Sequence, residues 1–291
     1  MVKKLNDLYL EARRAIMTQE DAQSASLTAR NLLCHVTGKT KEELLSQREL
    51  YASEEACLKM AQAVTRILEG EPLAYVLGEW DFYGMKLYVD KNVLIPRDDT
   101  CAVTALAIKQ ALFLNTSPRI LDLCTGSGCI GLAIAARVKD AKVTLADISR
   151  EAMAVAKKNI TLQKMTGRVS CVQADALKPP APFLGKFDMI VSNPPYITTR
   201  EMLELPHSVK GYEPRLALHG GSDGLDFYRS ITENFRNALK PGGYLCFEFG
   251  MGQGDDVCRL LEENEFTVLE RTRDYNDRER AVLARYNRKE E

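Results

Sequence analysis

Arg119-Ile120-Leu121-Asp122-Leu123-Cys124-Thr125-Gly126-Ser127-Gly128-Cys129-Ile130-Gly131 carries an apolar strand, 119–123, into a glycine-rich turn and then into a helical pattern over 129–138. Glycine lets the backbone turn sharply and approach a ligand closely. The helix that follows presents free backbone N–H groups at its start, which suit a carboxylate or phosphate. Gly126, Gly128 and Gly131 also match the G-x-G-x-x-G pattern, a weak signal when it stands alone.

Further along the chain, strands are expected at 142–147, 168–173, 187–192, 243–249, 266–271 and 280–285, with helical patterns at 150–161, 224–239 and 252–263. Such alternation implies a mainly parallel sheet with helices on both faces. Residues 272–279 leave no room for a crossover helix, so the last two strands should be antiparallel. Asp147 ends the second strand about twenty residues after the loop, where an acid can accept hydrogen bonds from ribose hydroxyls. Ser149 caps the next helix. Asp175 ends the third strand, placed either to meet an adenine amino group or to cap a turn. These residues argue for an adenosine-containing cofactor without choosing between a nicotinamide and S-adenosylmethionine.

The fourth strand, Phe187-Asp188-Met189-Ile190-Val191-Ser192, runs into Asn193-Pro194-Pro195-Tyr196. Ligands of open α/β sheets bind beyond the carboxyl ends of the strands, so this tetrapeptide belongs beside the cofactor. An amide or aromatic amino nitrogen is a poor nucleophile and needs orientation more than a strong base. The Asn193 side-chain oxygen can accept one N–H and the Pro194 carbonyl another. Pro195 removes a competing donor and biases Pro194 toward extended backbone. The two acceptors would aim the nitrogen lone pair at a methyl donor and stabilise charge growing on nitrogen. Tyr196 offers a flat face for a planar amide or base and a ring attractive to a cation.

Residues 1 to about 70 read as helices. Leu5, Leu8, Tyr9, Ala12 and Ile16 recur at helical spacing, and a second run holds Leu27, Ala29, Leu32, Leu33 and Val36 before a C-cap at Gly38. A short helix around 40–47 and a longer one capped by Ser53 follow, until Gly70 and Pro72 stop the pattern. Trp80 to Val89 reads as a hairpin turning at Gly84. The expected domains are 1–71, a helical domain recognising substrate; 72–98, a β-hairpin linker; and 99–291, the catalytic sheet.

Composition sets the boundaries. Lys+Arg 39 against Asp+Glu 40, a formal net charge of -1, lacks the basic excess of a protein that grips many phosphates, so nucleic acid is a disfavoured partner. No apolar run reaches bilayer length, and the basic Met1-Val2-Lys3-Lys4 has no apolar core behind it, so no membrane partner and a cytoplasmic location are expected. The eight cysteines hold no Cys-x-x-Cys pair and read as reduced thiols, and the three scattered histidines suggest no metal. The tail from Asn287 is polar and expected to fray.

Taken with Pro72-Leu73-Ala74-Tyr75-Val76-Leu77-Gly78-Glu79-Trp80, Phe82-Tyr83-Gly84, Val93-Leu94-Ile95-Pro96-Arg97, Tyr212-Glu213-Pro214, Gly220-Gly221-Ser222-Asp223-Gly224 and Leu239-Lys240-Pro241-Gly242-Gly243, the loop and the tetrapeptide resemble the HemK/PrmC family, the glutamine methyltransferases of peptide-chain release factors. The resemblance spans nearly the whole chain. It implies a seven-stranded, Rossmann-like class I methyltransferase sheet with an antiparallel last strand, plus the helical domain and hairpin. It implies S-adenosylmethionine as cofactor, S-adenosylhomocysteine as product, no metal, and release factors as protein partners. It implies that the methylated atom is the side-chain amide nitrogen of a Gly-Gly-Gln glutamine. Asn193, Pro194, Pro195 and Tyr196 would hold that amide. Cys124, Thr125, Gly126, Ser127, Gly128, Asp147, Asp175, Ala176 and Asn193 would hold the cofactor.

Three departures from the family pattern matter. Cys124 stands where glycine is common, tolerable if its φ is negative. Asp98-Asp99-Thr100 replaces Pro-Glu-Thr. Asp274 to Arg280 replaces a glycine-containing loop. Other readings are a ribosomal-protein glutamine methyltransferase, an adenine-specific nucleic-acid methyltransferase flipping its base, a nicotinamide dehydrogenase, which leaves Asn193 to Tyr196 unexplained, and a bare binding module.

Overall fold

The computed structural model describes residues 3–114 and 117–287. It divides into two compact units, Met1–Gly78 with His207–Tyr212, and Glu79–Pro206 with Glu213–Glu291. Most of the tail expected to fray, 288–291, lies outside the described residues.

The first unit is helical, with helices Leu5–Ile16, Ala22–Thr37, Lys41–Ser46, Glu54–Leu68 and Leu73–Leu77. Their apolar stripes (Leu5, Leu8, Ala12 and Ile16 on the first, Ala25, Ala29 and Leu32 on the second, Met60, Ala63 and Ile67 on the fourth) close on one core. Polar side chains set the helix starts. Asp21 accepts from the Gln23 and Ser24 amides, Ser53 from the Ala56 amide, and Thr40 with Glu43 forms a capping box. Gly38 ends the second helix at φ +67. The short helix His207–Lys210, which no sequence period announces, belongs to this unit; Tyr212 Oη donates to the Glu69 carbonyl at 2.8 Å.

The second unit opens with the hairpin β1 (Glu79–Phe82) and β2 (Met85–Tyr88). Phe82 pairs with Met85, so the turn is Tyr83-Gly84, both at positive φ as a two-residue hairpin turn requires. The sheet strands are β3 (Arg119–Leu123), β4 (Lys142–Asp147), β5 (Val169–Gln173), β6 (Phe187–Ser192), β7 (Leu239–Glu248), β8 (Phe266–Arg273) and β9 (Glu279–Tyr286). They lie in the order β5-β4-β3-β6-β7-β9-β8, the first five parallel and β9 antiparallel to both neighbours. The expected seven-stranded sheet with an antiparallel finish is the sheet observed.

Both faces are covered. Ile120, Leu145, Met189 and Val191 pack against one set of helices and the hairpin, while Leu121, Leu123, Ile190 and Phe247 pack on the other. Each such fully buried side chain contributes about 1.5–3 kcal/mol of hydrophobic stabilisation before entropy is counted. Helix Cys101–Leu112 is absent from the sequence reading because it buries residues nearly all round, which erases the amphipathic period. The helix expected over 224–239 stops at Asn234; a tight turn, Phe235–Ala238, then delivers β7, which begins at Leu239 rather than 243.

Two polar devices lock the frame around the sheet's carboxyl end. Asn159, fully buried, accepts from the Tyr88 amide at 2.7 Å and donates to the Tyr88 and Ser127 carbonyls at 2.9 Å, tying the hairpin to the glycine loop. Between β8 and β9, Asp274 accepts from the Asn276 and Arg278 amides at 2.8 and 3.1 Å, building the turn without glycine. Arg280 pairs with both Asp274 and Asp99, at 3.1 and 3.0 Å. Two of the three departures from the family pattern therefore meet on one arginine.

Candidate active site

β3 and β6 are neighbours while β4 lies on the other side of β3, so the chain reverses its winding there and leaves a crevice at the strands' carboxyl ends. A cavity of about 290 Å³ fills it. Of the expected site residues, Cys124, Thr125, Gly126, Ser127, Asp147, Asp175, Ala176, Asn193 and Pro195 line it. Gly128, Pro194 and Tyr196 do not. Gly128 sits under the loop as the left-handed N-cap of helix Cys129–Arg137, where a Cβ would stand 2.9 Å from Leu145 Cδ1. Its glycine serves helix-to-strand packing.

The loop is held from below. Asp122, fully buried, accepts from the Gly131 amide at 2.8 Å and the Thr125 hydroxyl at 2.6 Å, and burial pushes its pKa up to about 7. Thr125 N–H donates to the Ala146 carbonyl at 3.0 Å, fixing the loop to β4. Cys124 has φ +60, not the negative value expected. The backbone must reverse there to leave β3, and the side chain accepts left-handed geometry at a cost. Burial, and next the Asp147 charge, push the Cys124 pKa well up, so it faces the cavity as a neutral thiol.

Asp147 accepts from the Gly126 amide through Oδ2 and from the Ser149 amide through Oδ1, both at 2.9 Å. Burial raises its pKa, while those two amides pull it back. Asp175 accepts from the Leu177 amide at 3.0 Å and pairs with Lys178 at 3.1 Å, the geometry of a turn cap. The donor set fits an adenosine-bearing cofactor. The Ser127 hydroxyl is buried on the cavity wall without a hydrogen-bond partner, and nothing lies within 4 Å of where a Gly126 Cβ would point. Ile130, Ile148, Leu177 and Phe227 give the cavity an apolar lining around these polar groups.

Opposite the loop stands Asn193. Its Nδ2 donates to Thr100 Oγ1 at 3.2 Å. A side-chain amide has one acceptor and one donor end, so its oxygen stays free to accept.

Comparison with known proteins agrees with this architecture. The family model described as the PrmC N-terminal domain matches residues 9–78, and the one described as the methyltransferase small domain matches 101–207. The release factor glutamine methyltransferase of Clostridium acetobutylicum is 36% identical over 97% of this chain and 98% of its own. That of Chlorobaculum tepidum is 37% identical over 94% of each. The chain belongs to the release factor glutamine methyltransferase family. Among solved structures, a Pyrococcus furiosus methyltransferase superposes with a TM-score of 0.51 at 17% identity, covering 78% of this chain and all of that one, a likeness of fold alone.

For a member of this family, several site residues escape the sequence reading. Arg97 pairs with Glu213, which is 5% exposed and also accepts from the Ile95 amide at 3.3 Å, so residues 93–97 and 213–217 form one wall. Thr100 and Arg97 both line the cavity. The Gly-Gly-x-Asp-Gly block supports the tetrapeptide backbone. A Cβ on Gly220 would stand 2.6 Å from the Pro195 carbonyl oxygen, and one on Gly224 2.3 Å from that of Tyr196. Gln253 Nε2 donates to the same Tyr196 carbonyl at 3.1 Å. Tyr196 is half-buried, and burial followed by the Glu248 charge keeps its phenol firmly protonated. Glu248 itself, at the end of β7, carries one signal the sequence does show, a lone acid inside Leu245-Cys246-Phe247-Glu248-Phe249.

Proposed function

We propose that this chain transfers the methyl group of S-adenosylmethionine to the side-chain amide nitrogen of the glutamine in the Gly-Gly-Gln motif of peptide-chain release factors, in the cytoplasm. The observation that carries the reading is the hydrogen bonding of Asn193: its amino end donates to Thr100, which leaves its oxygen free to accept, and the residue lines the same cavity as the glycine loop. S-adenosylmethionine supplies an electrophilic methyl on a sulfonium when bound. Asp147 is the partner for ribose hydroxyls, Gly126 and Ser127 for the polar end, and Asp175 and Ala176 for the adenine side.

The protein's own work is orientation. Asn193 Oδ1 and the Pro194 carbonyl accept the two amide N–H groups, so the nitrogen lone pair points toward the donor. The same two acceptors stabilise the positive charge that grows on nitrogen as its bond to carbon forms. No ionised base has to touch the nitrogen. Proline at 194 and 195 keeps backbone donors away from that spot. The helical unit supplies contacts remote from the reacting amide, which alone binds too weakly for affinity.

The test is methyl transfer from labelled S-adenosylmethionine to release factor, ribosomal proteins, duplex DNA and a short Gly-Gly-Gln peptide in separate reactions. Label is expected on release factor and lost when its Gly-Gly-Gln glutamine is replaced. The peptide should show a KM higher by at least about tenfold, the share of remote contacts. Label on ribosomal protein or DNA instead would overturn the assigned acceptor.

A further inference from the structure

Three polar side chains from distant parts of the chain meet behind the wall that presents Asn193. Thr100 ends the tight turn Asp98–Thr100 and is 2% exposed; Glu248 ends β7 and is 1% exposed. Asn193 Nδ2 donates to Thr100 Oγ1 at 3.2 Å, and Ser192 pairs with Phe247 across β6 and β7, so Asn193 and Glu248 follow side by side, with Thr100 and Asn193 both favouring the charged form of the Glu248 carboxyl. Glu248 Oε2 is buried with no hydrogen-bond partner at all. The nearby cation does not account for this acid, because Arg280 forms its ion pairs with Asp274 and Asp99. A buried carboxyl with an unsatisfied oxygen is costly, and such a cost is retained where the group does something.

An ionised carboxylate can only accept hydrogen bonds. A charged Glu248 can take the Thr100 hydroxyl as a donor, which leaves Thr100 Oγ1 to accept the Asn193 amino group, as it does at 3.2 Å. We propose that Glu248, acting through Thr100, is a positioning residue that sets which end of the Asn193 amide faces substrate. This rests on the reading that Asn193 Oδ1 accepts the substrate N–H. When Glu248 is protonated it becomes a donor; the Asn193 oxygen then has a partner behind the wall, and its amino group turns to the cavity, where it meets the substrate N–H head on.

The balance is pH-dependent. Burial drives the Glu248 pKa up to about 8, opposed by Thr100, Arg280 and Asn193, with Asp99 pushing it further up. The other titratable groups that feel its charge are Cys101, Cys129, Tyr196 and Tyr228. Their own pKa values are all raised, so they remain neutral while Glu248 titrates. The acceptor-forward arrangement is therefore gained as pH rises through the Glu248 transition.

The experiment compares wild type with Glu248→Gln, Thr100→Val and Thr100→Ser. Glutamine at 248 offers an N–H as well as an oxygen and no longer dictates the amide's sense. Glu248→Gln and Thr100→Val are expected to lower kcat about ten- to a hundredfold, with the dissociation constant for S-adenosylmethionine unchanged within about twofold. Thr100→Ser keeps the hydroxyl and restores kcat to within about threefold of wild type. Wild-type kcat rises with pH through the transition, and the rise is absent in Glu248→Gln. In the unliganded enzyme, the side-chain ¹⁵N resonance of Asn193 shifts over the same range in wild type and stays still in Glu248→Gln. A Glu248→Gln enzyme with wild-type kcat and pH profile overturns the proposal, as does a kcat loss matched by an equal loss of cofactor affinity. The resonance reading requires no acceptor. A titrating Asn193 in an enzyme that leaves release factor unlabelled overturns the proposed substrate alone, and an Asn193 that does not titrate in an enzyme that labels release factor overturns the Glu248 role alone.

Discussion

On one side of the cavity, everything between Asp122 and Asp147 comes from a single strand-loop-helix-strand run. On the other side, Arg97, Thr100, Asn193, Glu213, Gly220 and Glu248 arrive from segments far apart in the chain. The first side works through backbone amides and two acids whose partners lie in the loop itself or within two dozen residues along the chain, as in the contacts from Gly126 to Asp147 and from Gly131 to Asp122. The second works through long-range pairs such as Arg97 with Glu213 and Asn193 with Thr100. A local loop tolerates variation so long as its turn can form. An assembled wall depends on each distant contact staying in place, because no neighbouring residue can take over.

Gly220→Ala is the strongest way to break the assembled side. A methyl there meets the Pro195 carbonyl and the Tyr196 Cα at 2.6 and 2.7 Å, both backbone atoms that cannot rotate away. The tetrapeptide must shift, and a displacement of that size near reacting atoms costs about a hundredfold in kcat. Single-turnover kinetics with saturating cofactor should show that loss, while cofactor affinity, read by calorimetry, moves little. Equal losses in both would mean the two sides are one mechanical unit.

Arg97→Ala tests the same side through its ion pair. Removing the guanidinium leaves the buried Glu213 carboxylate, among the described residues, with the Ile95 amide as its remaining hydrogen-bond donor, and the stability lost should be about 2 kcal/mol, less than for a fully buried pair because Arg97 is half exposed. Urea unfolding at neutral pH measures it, with unchanged m as the sign that the native state is otherwise intact. A midpoint equal to wild type would place Glu213 outside the wall's support.

The smallest expected effect lies on the local side. Cys124→Gly relieves a left-handed φ of +60 at a non-glycine residue. It should raise stability by about 1 kcal/mol, the strain relieved being partly offset by the greater freedom of glycine in the unfolded chain. The same unfolding experiment reads it, and a fall in stability would show that the thiol's packing outweighs the backbone strain.

The glycine loop, its acidic partner and the tetrapeptide were legible because each is a short run whose chemistry follows from adjacent residues. The alternating periods gave the seven strands for the same reason. Helix Cys101–Leu112 was not legible, since burial on all sides leaves no polar face to mark a period. Glu248 was visible only as an acid out of place in an apolar strand. Nothing in its neighbours says that β7 lies beside β6 and carries the acid to Asn193.

Sequence alone therefore determined the seven strands and the class of sheet, and it singled out the residues proposed to hold an adenosine cofactor and a planar amide. Hydrophobic period and turn chemistry act within a few residues, so they can be read without the fold. The tertiary structure decided which partner holds the Asn193 amino group, why Gly220 and Gly224 cannot carry side chains, and how Asp99 and Asp274 converge on Arg280. Those outcomes depend on strand order and on contacts between segments distant in the chain, such as Asn193 with Thr100, separated by 93 positions, and no local pattern encodes them.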